Sequence, residues 1–338
     1  MYTLFNTTKD ATLYKQQPTQ NTGLDEVLEI SKTWYGALLD ISHPLLQFNV
    51  TDISSSFAGQ SIGAAELILR ECESQEIPTD YTVYAYPVSQ SWDMGIGTRF
   101  DEISSDGATW RWPSASGSNW TTEGGDYTTG SVATDTLSYL GGDLNLDMLE
   151  IVNEWISGSL PNYGVLLKLS DEWEGNGTDY GILQYFGKET NTIYQPKLRI
   201  GIDDQSFVTG SLTALDSDDI QVTFKRLRSK YKLGSTAKIK VVGREKYPVK
   251  QYSKQYGYTD IQYLPETSWY QVKDAQTDEI IIPFSDYTKL SCDSEGNYFN
   301  INFKNWEYNR DYYFEIKTEI NGNEWFFSNN RYAFTVEQ

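Results

Sequence analysis

Apolar and polar residues alternate in short runs over most of the chain, and Gly, Pro, Asn and Asp separate the runs. A period of two sets one side of a segment against a core and the other in water, as in half-buried strands. In the first two hundred residues such runs fall at 11–14, 44–50, 64–70 and 82–88, the last reading Thr82-Val83-Tyr84-Ala85-Tyr86-Pro87-Val88. An apolar run at 165–169 and a Pro-x-Leu-x-Ile run at 196–200 follow. One segment keeps a different period. Leu146, Leu149, Ile151, Val152 and Trp155 recur at intervals near three and four, with Asp143 available as N-cap and Gly158 as stop. This predicts one short amphipathic helix with Trp155 plugging a core.

The grammar changes twice. Between 101 and 143 the chain becomes rich in Gly, Ser, Thr and Trp, which predicts long loops carrying Trp110, Trp112 and Trp120 just after Trp92. Binding residues concentrate on such loops. Around 201–206 a polar stretch ends the first series, and new alternating runs appear at 220–224, 237–242, 280–284, 298–303, 312–317 and 332–336. Asn321-Gly322-Asn323 is hairpin chemistry. The expected fold is all-β: a jelly-roll-type β-sandwich with one short helix over 1–202, then an immunoglobulin-like β-sandwich over 203–338 without its Cys pair. A Tyr- and Lys-rich tract at 247–264 reads as an extended loop.

Composition supports strands over helical bundles, with 25 Tyr and 10 Trp against 3 Met in 338 residues. Charge alters the picture more. Residues 1–202 hold 10 Lys/Arg against 27 Asp/Glu, net −17, whereas 203–338 hold 17 against 20, net −3. The acidic half disfavours nucleic acid, which needs clustered cations. Within the second half, eleven basic residues lie between Lys225 and Lys254 against the single acid Glu245. Lys225, Arg226, Arg228, Lys230 and Lys232 open this stripe as candidate partner-binding residues, although alternate Lys, as at 238 and 240, also suit the wet face of a strand.

Catalytic chemistry is sparse. A single histidine, His43, removes His-based triads and multi-histidine zinc sites, and two cysteines 220 positions apart predict free thiols in a reducing compartment. His43 precedes Pro44 in an apolar strand and reads as structural. Paired carboxylates are the remaining option for glycoside hydrolysis, with Glu172 and Glu174 or Asp101 and Glu102 near Trp; solvated acidic loops explain them better, and no enzyme is expected. Asp93, Asp101, Asp106 and Asp126 flank the Trp-rich region as a weak calcium site. Trp92, Trp110, Trp112 and Trp120 are candidate contacts for a sugar face or a protein partner. Neither a signal-peptide pattern nor an apolar run of membrane-spanning length is present, so cytosolic synthesis without a membrane is the expectation.

Several segments occur in a familiar order: Lys9-Asp10-Ala11-Thr12-Leu13, Leu45-Leu46-Gln47-Phe48-Asn49-Val50, Ala64-Ala65-Glu66-Leu67-Ile68-Leu69, Ser91-Trp92-Asp93-Met94-Gly95 leading to Thr109-Trp110, Val152 to Trp155, Asn162-Tyr163-Gly164-Val165-Leu166-Leu167 and Pro196-Lys197-Leu198. Over about residues 5–202 the chain resembles the DNRLRE family. The resemblance implies a carbohydrate-binding-module-like jelly roll, found in secreted microbial surface proteins and in structural proteins of tailed bacteriophages. Its motifs are structural and transfer no ligand residues. Without a signal peptide or a neighbouring catalytic domain, the phage setting is favoured: a non-enzymatic virion protein of the neck, collar or tail, made in the bacterial host cytoplasm, touching portal, neck or tail proteins and forming a homo-oligomeric ring by head-to-tail packing of acidic on basic surfaces. A carbohydrate-binding adhesin or receptor-binding module is the alternative.

Overall fold

The computed structural model describes residues 1–57, 59–75, 79–115, 117–217, 219–247, 262–328 and 332–338. It is all-β with three short helices among these residues, and it divides into two compact units, Phe5–Ile200 and Met1–Leu4 together with Gly201–Gln338. Residues 1–4, assigned from sequence to the first domain, belong to the second. The Met1 ammonium donates to the Ile202 and Tyr287 carbonyls at 2.6 Å each and pairs with Asp204 at 2.7 Å.

The first unit is built on two sheets. One runs in the order Tyr2–Asn6, Lys197–Ile202, Ile62–Leu69, Leu144–Asp147; its first two strands contribute residues to both units. The other runs Glu71–Gln75, Gly181–Phe186, Val27–Tyr35, Leu38–Gln47, Val165–Lys168, Tyr81–Pro87, Ala133–Leu137, with Lys9–Tyr14 also paired to Leu38–Gln47. Tyr81–Pro87 alternates strictly between buried and half-buried positions, as its sequence does. Val165–Lys168 is buried throughout, because the long segment between Pro87 and Ala133 folds back over one face of this sheet.

The helix spans Leu149–Ser157, buries Ile151, Val152 and Trp155, and ends on Gly158 in the left-handed region at φ 76°. Asp143 does not cap it. Leu144–Asp147 is a strand paired to Glu66–Leu69, and the Asp143 carboxylate instead accepts from the Glu71 N–H at 2.9 Å and pairs with Arg70. Two further helices, Val50–Ser56 and Asp171–Gly175, are capped by Asn49 and Ser170, whose side-chain oxygens accept first-turn N–H groups.

The second unit has one sheet in the order Ile220–Lys225, Thr236–Glu245, Gly296–Asn302, Ser291–Asp293 and another in the order Lys230–Lys232, Phe334–Glu337, Asp311–Ile320, Ser268–Asp274, Ile280–Ile282. This is the A-B-E-D and G-F-C arrangement of an immunoglobulin-like sandwich, with the first strand divided between the sheets. Both cysteines are free. Rings from both sheets fill the core: Tyr270 stacks on Phe299 at 4.1 Å, and Phe314 meets Phe299 at 5.1 Å and Phe334 at 4.7 Å. Asn323–Ser328 hairpins onto Asp311–Ile320 through Asn321 and Gly322, both at positive φ, as a two-residue type I′ turn requires. Of the Tyr/Lys-rich tract, residues 248–261 lie outside the described residues.

Candidate functional site

Division of the first strand in the second unit creates a groove. Ile220–Lys225 pairs with Thr236–Glu245 in one sheet, the chain crosses at 226–229, and Lys230–Lys232 pairs in parallel with Phe334–Glu337 in the other. Strand alternation then sorts the side chains. Tyr231 is buried, stacked on Phe303 at 4.7 Å, so Lys230 and Lys232 on either side are exposed. Ile239 is buried in the same way between Lys238 and Lys240. The outcome is a cavity of about 870 Å³ lined by Lys225, Arg226, Arg228, Lys230, Lys232, Lys238 and Lys240, with Glu295 as its single acid.

All five residues expected from the basic stripe therefore meet at one place. Lys238 and Lys240, readable in sequence as a wet strand face, line it with them. Tyr231, which orients its neighbours, and Glu295, which sits far along the chain on the turn after Ser291–Asp293, carried no signal that sequence reading could use.

The groove holds an excess of positive charge. Lys238 pairs with Asp293 at 2.6 Å, Lys240 with Glu295, and Lys230 with Glu337. Among the described residues no carboxylate pairs with Lys225, Arg226, Arg228 or Lys232. Lys225 stands directly opposite Lys240 in register, a like-charge cross-strand pair that disfavours the fold. Arg226 has φ 57°, a left-handed conformation uncommon for a residue with a β-carbon. Charge repulsion and backbone strain together at a solvent-facing groove mark a surface shaped for something other than stability. The ligand class that fits is anionic, and the three bound lysines show that carboxylates suit the spacing.

The tryptophan expectation is corrected. Trp92, Trp110 and Trp120 are only 2%, 5% and 3% exposed, and they form one cluster with Ala11, Leu13, Ile41, Leu45, Val88, Ala108 and Leu166. The Trp92 indole donates to the Tyr163 carbonyl at 2.7 Å and the Trp120 indole to the Thr109 carbonyl at 2.8 Å. These rings fasten the Pro87–Ala133 segment to the sheet and offer no face to a ligand; Trp112 is half-buried. The strong burial drive of large aromatic surface outweighs the polar composition of the loop around it.

The calcium expectation is corrected as well. Asp126 accepts the Thr121 and Thr122 N–H groups at 2.7 Å each, Asp106 accepts from Ser104 and the Ile96 N–H, Asp101 accepts from the Thr98 hydroxyl, and Asp93 is exposed. Asp101, Asp106 and Asp126 thus tie loop backbone and hydroxyl groups, as Asp does in loops. Among the described residues no three His, Cys, Asp or Glu side chains come together as a metal site.

His43 is held from both sides, Nδ1 on the Gly124 carbonyl at 2.8 Å and Nε2 on Glu174 at 3.0 Å. Glu174 also takes Lys168 at 3.0 Å, and Lys168 pairs with Asp171 at 2.5 Å. Burial of the Glu174 carboxyl disfavours its charge, but His43 and Lys168 outweigh burial and hold it below the usual carboxylate range. Both His43 nitrogens, both Glu174 oxygens and the Lys168 ammonium are spent on neighbours. Glu172, the other half of the carboxylate pair considered from sequence, is exposed on the same helix.

No family model matches the chain, and no curated protein is similar to it. Among solved structures, a beta-glucuronidase of Parabacteroides merdae is similar over 87% of this chain and 27% of that chain, at 8% identity and a TM-score of 0.19. This chain thus spans about a quarter of that structure's length, and so low a likeness carries no argument about activity. No helix among the described residues is long and apolar enough to cross a membrane.

Proposed function

We propose that this chain is a non-enzymatic structural protein that works by protein–protein contact, as a neck, collar or tail-associated component of a tailed-bacteriophage virion, and that the basic groove receives an acidic partner. The groove carries the reading: of its seven lining cations three are paired to Asp293, Glu295 and Glu337 and four are left over among the described residues, on a chain whose formal net charge is −20. Carboxylates of a partner would complete the four unpaired cations as Asp293, Glu295 and Glu337 complete the others. Such pairing steers encounter and sets specificity, and it weakens with salt. The DNRLRE-like order of segments is compatible with the virion setting, one of the two in which that family occurs. The carbohydrate-binding alternative relied on Trp92, Trp110, Trp112 and Trp120, and burial of three of these rings leaves it without a platform.

Two measurements test the proposal. Labelled poly-L-glutamate should bind the intact protein, bind less as salt rises, and bind at least about tenfold more weakly to the Arg226→Glu/Arg228→Glu variant; equal binding by both proteins would sink the groove reading. Mass spectrometry of density-purified phage particles from cells that make the protein should detect its peptides, and particles free of them would sink the virion setting.

A further inference from the structure

The first unit carries a surface complementary to the groove. The loop between Met94 and Ala108 is anchored at both ends by Asn21, fully buried, whose side-chain amide donates to the Met94 and Ala108 carbonyls at 2.8 and 2.9 Å while its oxygen accepts from the Gly97 N–H at 2.8 Å. Arg99 holds the middle: its N–H donates to Asp25 at 3.0 Å, and its guanidinium pairs with Glu29 at 2.5 Å and lies 4.0 Å over the Tyr14 ring. On this fixed frame Phe100, Ile103 and Ile96 are 87%, 77% and 71% exposed, and Asp101, Glu102 and Asp106 are exposed among them. Three large apolar side chains held in water on an anchored loop mark a contact surface.

We propose that the occupant of the basic groove is this loop from a second copy of the chain. The inference rests on the groove reading above and names its partner. A loop of mixed acidic and apolar character needs cations together with hydrocarbon, and the groove supplies both, since Lys and Arg present methylene stems below their charged heads. Asp101 and Glu102 would pair with Arg226 and Arg228, while Phe100 lies along the stems of Lys225 and Lys232. Single-stranded nucleic acid fits less well, because base stacking needs an exposed ring and the groove has none to offer: Tyr231 is buried, and the neighbouring Tyr298 is covered by the Lys238 ammonium at 3.5 Å. Loop and groove are different surfaces of one chain, so the contact is heterologous and propagates from copy to copy, closing a ring where the rotation allows.

Charge exchange tests this on the full chain. Mass photometry and sedimentation should show the intact protein associating at about 50 mM salt and dissociating at about 500 mM. Arg226→Glu/Arg228→Glu and Asp101→Lys/Glu102→Lys should each associate at least about tenfold more weakly alone. An equimolar mixture of the two should associate again, because each reversed surface then meets its reversed counterpart, and this recovery also shows that both variants are folded. A mixture that stays monomeric, or single variants that associate like the intact protein, would overturn the inference. If the groove variant still lost poly-L-glutamate binding in that case, the groove reading would stand with a different acidic partner. Loss of poly-L-glutamate binding from the intact protein itself would remove both, and groove-dependent binding of duplex DNA in preference to poly-L-glutamate would replace the loop with nucleic acid.

Discussion

Asp10 shows how burial sets the behaviour of a single group. Its carboxylate accepts the Lys188 N–H at 2.5 Å in a buried position on the Lys9–Tyr14 strand. Burial nevertheless dominates and pushes its pKa up to about 7, and burial likewise raises Asp25 to about 6. The folded state therefore holds protons that the unfolded chain releases near pH 4. Their contribution is fully present below that pH and is lost as pH rises through about 6 to 7. Urea unfolding should accordingly give lower stability at pH 8 than at pH 5, and Asp10→Asn, which keeps an acceptor for Lys188, should narrow the difference. An unchanged difference in the variant would show that Asp10 is not responsible. Arg226 separates stability from binding. Arg226→Gly relieves a left-handed strain of about 1 kcal/mol but adds a comparable roughly 0.5–1 kcal/mol of unfolded-chain freedom. Its thermal midpoint should stay near that of the intact protein while poly-L-glutamate binding falls; a midpoint several degrees lower would mean that the Arg226 side chain supports the fold.

Among the larger elements, the Pro87–Ala133 segment differs most from its reading as a binding loop. Its tryptophans give the sheet face a second core, so Trp110→Ala should cost about 3–5 kcal/mol in denaturant unfolding, and Trp112→Ala, half-buried, clearly less. Equal small losses at both positions would refute the core assignment. Strands were readable where alternation was clean, as in Tyr81–Pro87, and the Asn321-Gly322 turn was readable because only a few residue pairs accept two positive φ values in succession. Val27–Tyr35 is one of several strands not legible in sequence. It is a central strand whose buried Glu29 pairs with Arg99 and whose buried Lys32 ammonium donates to the Trp173 and Asn176 carbonyls at 2.6 Å each. Charged residues in a core imitate a polar surface unless their distant partners are known. Leu144–Asp147 was misread as helix for a related reason, since four residues are too few to tell a period of two from one near four.

In the whole molecule, the two units keep the charge contrast seen along the chain. Residues 5–200 hold 10 Lys/Arg against 27 Asp/Glu, and the remainder hold 17 against 20. That contrast, the all-β character and the positions of about half of the strands follow from the sequence alone, because they depend on composition and on neighbours two residues apart. The basic stripe was visible in the same way. Its conversion into a groove was not, since it required the first strand of the second unit to divide between two sheets and Glu295 to arrive from a remote hairpin. Folding also sorted the aromatic and acidic residues of the first unit: Trp92, Trp110 and Trp120 went into a core, while Phe100, Ile103 and Asp101 stayed in water. Burial is a property of what packs against a residue from elsewhere in the chain, and local sequence carries no record of it.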